Sequence, residues 1–267
     1  MSLVLACGQF VPEPGSIEAN RAIMLGQMEE AKSLGASLIV FPELALTGYL
    51  PPDEIGPLAV SVEGPELRPL RDAAALLHLG AAVGIPELEG DTRYNSLAYI
   101  NSQGQVSHVY RKLHLWDTER IWAQPGSAPD TFDAEGVRSG MWICYDTRFP
   151  EVGRLVAVGG GSLALVATAW LGPAAEWELA VRARALDNGM YVAASALQGA
   201  YANNRFVGAS LIADPHGNVL ARSPEGRTGV ITATYDAQVV AGFRDRVPLL
   251  RHRRLDAYDA LSQETEW

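Results

Sequence analysis

Cys144 sits within residues 138–151, RSGMWICYDTRFPE, where an apolar run (140–144) meets a Pro150-Glu151 helix start. Met-Trp-Ile-Cys reads as the end of a buried strand. Proline suits a first helical position because its missing N–H would be unpaired there anyway. Cys144 is therefore expected where a strand gives way to a helix. Backbone N–H groups point outward at such a junction, and the positive end of the helix favours the thiolate, the form in which sulfur attacks. A structural cysteine closing a core strand is the competing reading of this stretch.

Other reactive groups share that register. Glu43 follows Phe41-Pro42 at the end of a short apolar strand, and Lys112 follows a hairpin strand in VYRKLHLW. A thiol attacks a carbonyl well only once a base has taken its proton, and a nearby cation lowers its pKa. Glu43, expected to be raised toward neutrality by burial among Phe41, Leu44 and Leu46, has the chemistry of that base. Lys112, kept charged, can pair with the carboxylate and point at the oxyanion forming on a substrate carbonyl, beside the Tyr145 backbone N–H. Glu119, seven residues past Lys112, is a second carboxylate for the same ammonium. A solvated surface position is the default for any single Glu or Lys. Glu43 and Lys112 instead follow strand-like segments in Leu-, Phe- and Pro-rich surroundings, where an unpaired charge is costly.

The elements that must position these residues alternate along the chain. A strand at 3–9 is followed by a Pro-Gly turn and a helix from the N-cap Ser16 to about Leu34, with Ile17, Met24, Leu25, Met28 and Leu34 on one face. A short strand at 37–41, a helix at 66–79 and a strand at 80–85 come next. Strands at 94–100 and 105–110 and again at 207–213 and 219–222 read as hairpins, each with a glycine supplying positive φ in its turn. Between the hairpins lie the strand ending at Cys144, a helix at 150–158, a strand at 162–168, a helix at 174–187 and a strand at 190–195. A last strand at 229–235 precedes a polar, irregular tail with one short helix. Two α/β halves with helices on one sheet face each leave the other face apolar. The halves should then stack sheet on sheet, as a four-layer α-β-β-α sandwich. A three-layer doubly wound sheet is the rival.

Composition narrows the function classes. The 267 residues, 48% hydrophobic and 19% charged, suffice for one large core, so 1–267 reads as a single domain with a tail from about 237. A net charge of -10 with no basic run interleaved with aromatics argues against nucleic-acid binding, which needs a positive footprint. The short RHRR cluster at 251–254 reads as a solvated or subunit-contact segment. Cys7 and Cys144 show neither Cys-x-x-Cys nor Cys/His ligand spacing. A reducing, cytoplasmic setting is expected, with no disulfide framework and no structural zinc. The opening MSLVLACGQF has no basic segment and alternates like a strand, unlike a signal peptide. The longest apolar run, 159–169, is about half the length of a membrane span. Neither GxGxxG after the first strand nor GxxxxGK[ST] occurs, so a nucleotide phosphate cradle is unsupported.

FPELALTGY around Glu43, YRKLHLW around Lys112 and CYDTRFPE around Cys144 together resemble the carbon–nitrogen hydrolase, or nitrilase, superfamily with its Glu-Lys-Cys triad. DTERIWAQPG around Glu119, WELAVRARALDN and DPHGNVLA extend the resemblance over nearly the whole chain. It implies the same α-β-β-α sandwich, with Cys144 as nucleophile, Glu43 as general base and Lys112 at the oxyanion. Glu119 would orient the substrate amide and assist Lys112. It also implies an acyl-enzyme, no metal or organic cofactor, and a homodimer or larger assembly.

Tyr145-Asp146 after the cysteine departs from the Trp-Glu of true nitrilases and points to small linear amides. CYDTRFPE is also similar to the omega-amidase branch, whose substrates carry a carboxylate. In the related carbamoyl-amino-acid hydrolases a basic residue at the place of Arg148 grips that group, so Arg148 is a candidate anion clamp; bracing Asp146 or Glu151 is its alternative. Trp170, in WLGPA, departs from the omega-amidase pattern and keeps short aliphatic amides in play. Tyr49, Trp116 and Tyr145 are expected along the pocket, with a plain wall role as the alternative for each. Two other classes remain to weigh. A scaffold with a dead site should lack a triad member, and an ammonia-supplying synthetase would need a separate ligase chain.

Overall fold

Residues 2–224 and 226–262 are described by the structure, a computed structural model. The first half runs β1 (Ser2–Gln9), α1 (Ile17–Ser33), β2 (Leu38–Val40), a short α2 (Pro52–Ile55), α3 (Arg68–Leu77), β3 (Gly80–Glu89), β4 (Thr92–Ile100) and β5 (Val106–Arg111). The second runs α4 (Glu119–Trp122), β6 (Phe132–Ala134), β7 (Val137–Ile143), α5 (Pro150–Val158), β8 (Leu163–Thr168), α6 (Ala174–Asn188) and β9 (Tyr191–Ala196). It continues through β10 (Gln198–Tyr201), β11 (Asn204–Val207), β12 (Leu211–Ala213), β13 (Val219–Arg222), β14 (Gly229–Asp236) and α7 (Ala237–Arg246).

These strands form two six-stranded sheets, ordered β14-β1-β2-β3-β4-β5 and β13-β12-β9-β8-β7-β6, and a separate β10-β11 ribbon. Each sheet has three central parallel strands, β1-β2-β3 or β7-β8-β9, flanked by antiparallel ones. The halves are therefore copies in topology, and β14 returns the chain to the first sheet.

Strand alternation makes the layers. Leu5, Cys7, Leu38, Val40, Leu97 and Tyr99 point from the first sheet into a core shared with β7, β8 and β9. Ala6, Ile39, Phe41, Ala81 and Val83 point the other way, onto Met24 and Met28 of α1 and Leu70 and Ala74 of α3. On the second sheet α5 and α6 contribute Val152, Val156, Trp177, Val181 and Ala185. This is the α-β-β-α sandwich, and two separate sheets exclude the doubly wound rival. Strand LALVAT at 163–168 is buried at every position, as befits a parallel strand covered on both faces.

Three expectations change at the element level, and one is located. Leu34 leaves the buried face of α1: the helix stops at Ser33, Gly35 turns with φ 80°, and Leu34 is 50% exposed. The strand expected over 207–213 is two strands, because Gly208 and Ala209 both take positive φ between β11 and β12. The short helix expected in the tail is α7, at its start, capped by Asp236 and burying Val240 and Phe243. The β3-β4, β6-β7 and β10-β11 hairpins appear in addition to the two expected ones. Trp267, part of the expected tail, lies outside the described residues.

Candidate active site

Glu43, Lys112 and Glu119 meet in one buried cluster. Lys112 Nζ donates to Glu43 Oε1 and to Glu119 Oε1, both at 2.7 Å. Asn95, on β4, lies against the same two atoms. Its Nδ2 donates to Glu43 Oε1 at 2.8 Å and to Glu119 Oε1 at 3.2 Å, one N–H for each carboxylate. Glu43 Oε2 accepts the Ala169 N–H at 2.7 Å, just beyond β8 on the opposite sheet. Glu119 also accepts the Tyr49 hydroxyl (3.0 Å) and the Trp116 N–H (2.8 Å).

Local structure explains each placement. The chain leaves β2 through Phe41-Pro42 and coils tightly over β3, with Leu44 at φ 51° and Gly48 N–H bonded to Leu44 O at 2.7 Å. That coil fits only because residue 84 has no side chain: a β-carbon there would lie 2.2 Å from Pro42 O and 2.6 Å from Leu44 N. Lys112 continues β5, its N–H bonded to Asn95 O at 2.8 Å. The preceding Arg111 is gripped by the buried Glu87 through two bonds, at 2.9 and 2.7 Å.

Cys144 is half-buried and begins a tight 3-10 turn, Cys144–Arg148, between β7 and α5. Its φ of 48° is uncommon for a residue other than glycine and stores strain at the junction. Buried Asp146 holds the turn. It accepts the Ile143 N–H (3.2 Å), the Tyr110 hydroxyl (2.7 Å) and the His114 N–H (2.8 Å), tying the cysteine turn to the segment that carries Lys112.

The electrostatics differ from the sequence expectation in one respect. Enclosure pushes the Cys144 thiol's pKa up, and Glu43 adds to this, while Lys112 and Thr168 oppose it. The turn Cys144–Arg148 lies between β7 and the start of α5 at Pro150, so the cysteine does not itself stand at the N-terminus of α5. Burial works against the charge on Lys112, yet Glu119 and Glu43 outweigh it and hold the ammonium well above its ordinary pKa. Burial and Glu43 push the Glu119 carboxyl up, against the pull of Lys112.

The sulfur and the ammonium line one pocket of about 410 Å³, counted out to its open mouth. Tyr49, Trp116, Tyr145, Arg148 and Trp170 line it as well. Trp116 and Tyr145 meet edge to face, with ring centroids 4.7 Å apart.

The family model for carbon-nitrogen hydrolases matches residues 4–245. The chain belongs to this family. A probable nitrilase of Schizosaccharomyces pombe is 34% identical over 96% of this chain and 99% of its own length. The 2-oxoglutaramate amidase of Bacillus subtilis is 34% identical over 86% of this chain and 89% of its own. Among solved structures, an amidase of Nesterenkonia sp. AN1 superposes with a TM-score of 0.84 at 25% identity, over 95% of this chain and 94% of its own. A mutant of that amidase carries the acetamide moiety of fluoroacetamide covalently on its active-site cysteine. Hydrolysis of a carbon–nitrogen bond through a cysteine nucleophile is the general chemistry supported for this carbon-nitrogen hydrolase.

Two placements in the hydrolase depart from what its sequence suggested. Arg148 braces neither Asp146 nor Glu151; it forms an ion pair with Glu176 at the start of α6 and lies 4.7 Å over the Trp170 ring. Asn95 and Asp146 went unassigned, although both sit at the centre of the hydrogen-bonding. Their signal was a short polar side chain inside an otherwise strand-forming apolar run, YNSLAYI or WICYD, where such residues are disfavoured without a partner. Among the described residues no three His, Cys, Asp or Glu side chains converge so as to hold a metal ion. No described helix is long and apolar enough to cross a membrane.

Proposed function

We propose that the protein is an amidase that hydrolyses small linear amides through an acyl-enzyme on Cys144. The observation that carries this reading is that Lys112 lines the pocket beside Cys144 although two carboxylates already hold it. An ammonium has three N–H donors; two are used, and the third is available to a substrate oxygen. Glu43 Oε1 accepts two bonds and Oε2 one, so Oε2 keeps a lone pair for the thiol proton.

Glu43 takes the proton from Cys144 Sγ as the sulfur bonds to the amide carbon. The carbonyl electrons move onto oxygen, stabilised by Lys112 and the Tyr145 N–H. The tetrahedral intermediate collapses, the C–N bond breaks, and Glu43 returns its proton to the departing ammonia. Water then attacks the thioester with Glu43 again as base, giving the carboxylic acid and restoring the thiol. Glu119 fixes Lys112 and orients the amide. The mostly hydrophobic and aromatic pocket wall suits a short acyl chain.

A second reading, an omega-amidase or carbamoyl-amino-acid hydrolase, is favoured by Arg148 on the pocket wall and by the Bacillus subtilis relative, whose named substrate is an amide that bears a carboxylate. Ammonia release from butyramide, succinamate, N-carbamoyl amino acids and nitriles separates the readings. Amides should exceed nitriles in kcat/KM. Arg148→Leu should lower the succinamate-to-butyramide ratio about tenfold, roughly one charge-assisted bond at a half-exposed site. Nitrile turnover without amide turnover would contradict the proposal, and an unchanged ratio would reject the anion clamp.

The same proposal covers the whole molecule: one domain spanning the chain, working in the cytoplasm as an assembly of at least two copies. Exposed apolar side chains on the neighbouring helices α5 and α6, Leu155, Val158, Leu179 and Leu186, support the assembly.

A further inference from the structure

Arg148 is not free to receive a substrate anion. Its Nη2 donates to Glu176 Oε1, and its guanidinium carbon lies 4.7 Å from the centre of the Trp170 ring, so the end of the cysteine turn is tied to the first turn of α6. Glu176 also has somewhere else to go. Trp170 is 4% exposed, and its buried Nε1–H has no acceptor among the described residues, an arrangement that is costly when it persists. The point that a β-carbon on Gly172 would occupy lies 2.9 Å from Trp170 Nε1 and 2.9 Å from Glu176 Oε2. The unpaired donor and the carboxylate therefore border the same small space, left open because residue 172 is glycine.

We propose that Glu176 is a specificity-determining latch on Arg148. It holds the guanidinium while the pocket is empty or contains a neutral amide. A substrate carboxylate takes over Arg148, and Glu176 turns across the space at Gly172 to accept the Trp170 Nε1–H. The exchange is inexpensive because the Arg148–Glu176 pair is nearly half exposed on both sides, where ion pairs contribute little, and because the released carboxylate satisfies a donor that had none. Glu176 thus sets how strongly the pocket prefers acyl chains ending in a carboxylate. This rests on the reading that the pocket takes the acyl part of an amide.

Binding to Cys144→Ala protein tests the latch without turnover. Glu176→Gln should tighten succinamate about two- to fivefold, the range an exposed ion pair allows, and leave butyramide unchanged. Adding Arg148→Leu should remove that gain. The Trp170 indole N–H resonance, assigned by its loss in Trp170→Phe, should move downfield on adding succinamate but not butyramide, and should stay put in Glu176→Ala. If Glu176→Gln leaves succinamate binding unchanged or weaker, or if succinamate binds none of these proteins, Glu176 is only a brace and the latch is wrong. If the latch effects appear but no amide is turned over by the Cys144 enzyme, the proposed reaction fails and the latch stands.

Discussion

Asn95 explains how two carboxylates share one ammonium. Lys112 balances one of the two negative charges, and the two N–H groups of Asn95 satisfy the inner oxygens of both Glu43 and Glu119. Asn95→Ala should therefore lower kcat more than tenfold with KM little changed, because the base loses its orientation and its neighbour's repulsion is no longer buffered. Glu43→Gln and Lys112→Ala should each lower kcat roughly 10²- to 10⁴-fold, and far less than additively with Cys144→Ala. A loss confined to KM in either would refute its role. Cys7 offers a contrasting prediction. Burial holds its thiol well above the ordinary range. The unfolded chain releases that proton from about pH 8.5 upward and the folded chain does not. The group's contribution to stability is fully present below about pH 8.5 and falls above it, by about 1.4 kcal/mol per pH unit. Urea unfolding of Cys7→Ala under reductant should show a shallower loss between about pH 9 and 10 than the parent protein. An equal slope would show that Cys7 ionises in the folded state. Cys144, Lys112 and Glu43 were legible in the sequence because each follows a clear strand. Asn95 and Asp146 were not, because the burial that gives them partners depends on which strand lies opposite.

At the scale of elements, the site is built where strands end and close backbone contacts fix the turns. Gly84 is the tightest of these on the Glu43 side. Gly84→Ala must push the Pro42–Leu44 backbone away from β3. It should cost about 1 to 3 kcal/mol of stability and lower kcat more than tenfold, with Cys144 still reactive toward a small thiol reagent. Wild-type kcat in a folded Gly84→Ala protein would show that the coil bearing Glu43 tolerates displacement. The elements that the sequence displayed are those with long apolar or amphipathic runs: α5 spans 150–158 as expected, and α6 differs by one residue at its end. The additional hairpins were hidden for physical reasons. β3 and β4 turn at Gly90-Asp91 within a charged stretch, ELEGDTR, that carries no apolar alternation. β10 and β11 form a ribbon of mixed polarity, outside both sheets.

For the whole molecule, two topologically equivalent halves stack face to face, and the residues of the proposed site come from both: Glu43, Asn95 and Lys112 from the first, Glu119 and Cys144 from the second. The architecture was legible because each half carries helices for only one face of its sheet. The outer face of α5 and α6 was not, since only the structure shows which of their leucines and valines lack cover, Leu179 being 67% exposed. Sedimentation at micromolar concentration should therefore give a species of at least two chains, and Leu179→Glu with Leu155→Glu should shift it toward the 28.7 kDa monomer. A parent protein already at that mass would contradict the assembly. The most direct test of the central claim is intact-mass analysis with peptide mapping after mixing the protein with a slowly deacylated amide or ester. The account predicts one acyl group per chain on Cys144, none on Cys7, and none in Cys144→Ala. An adduct on another residue, or amide turnover persisting in Cys144→Ala, would contradict it.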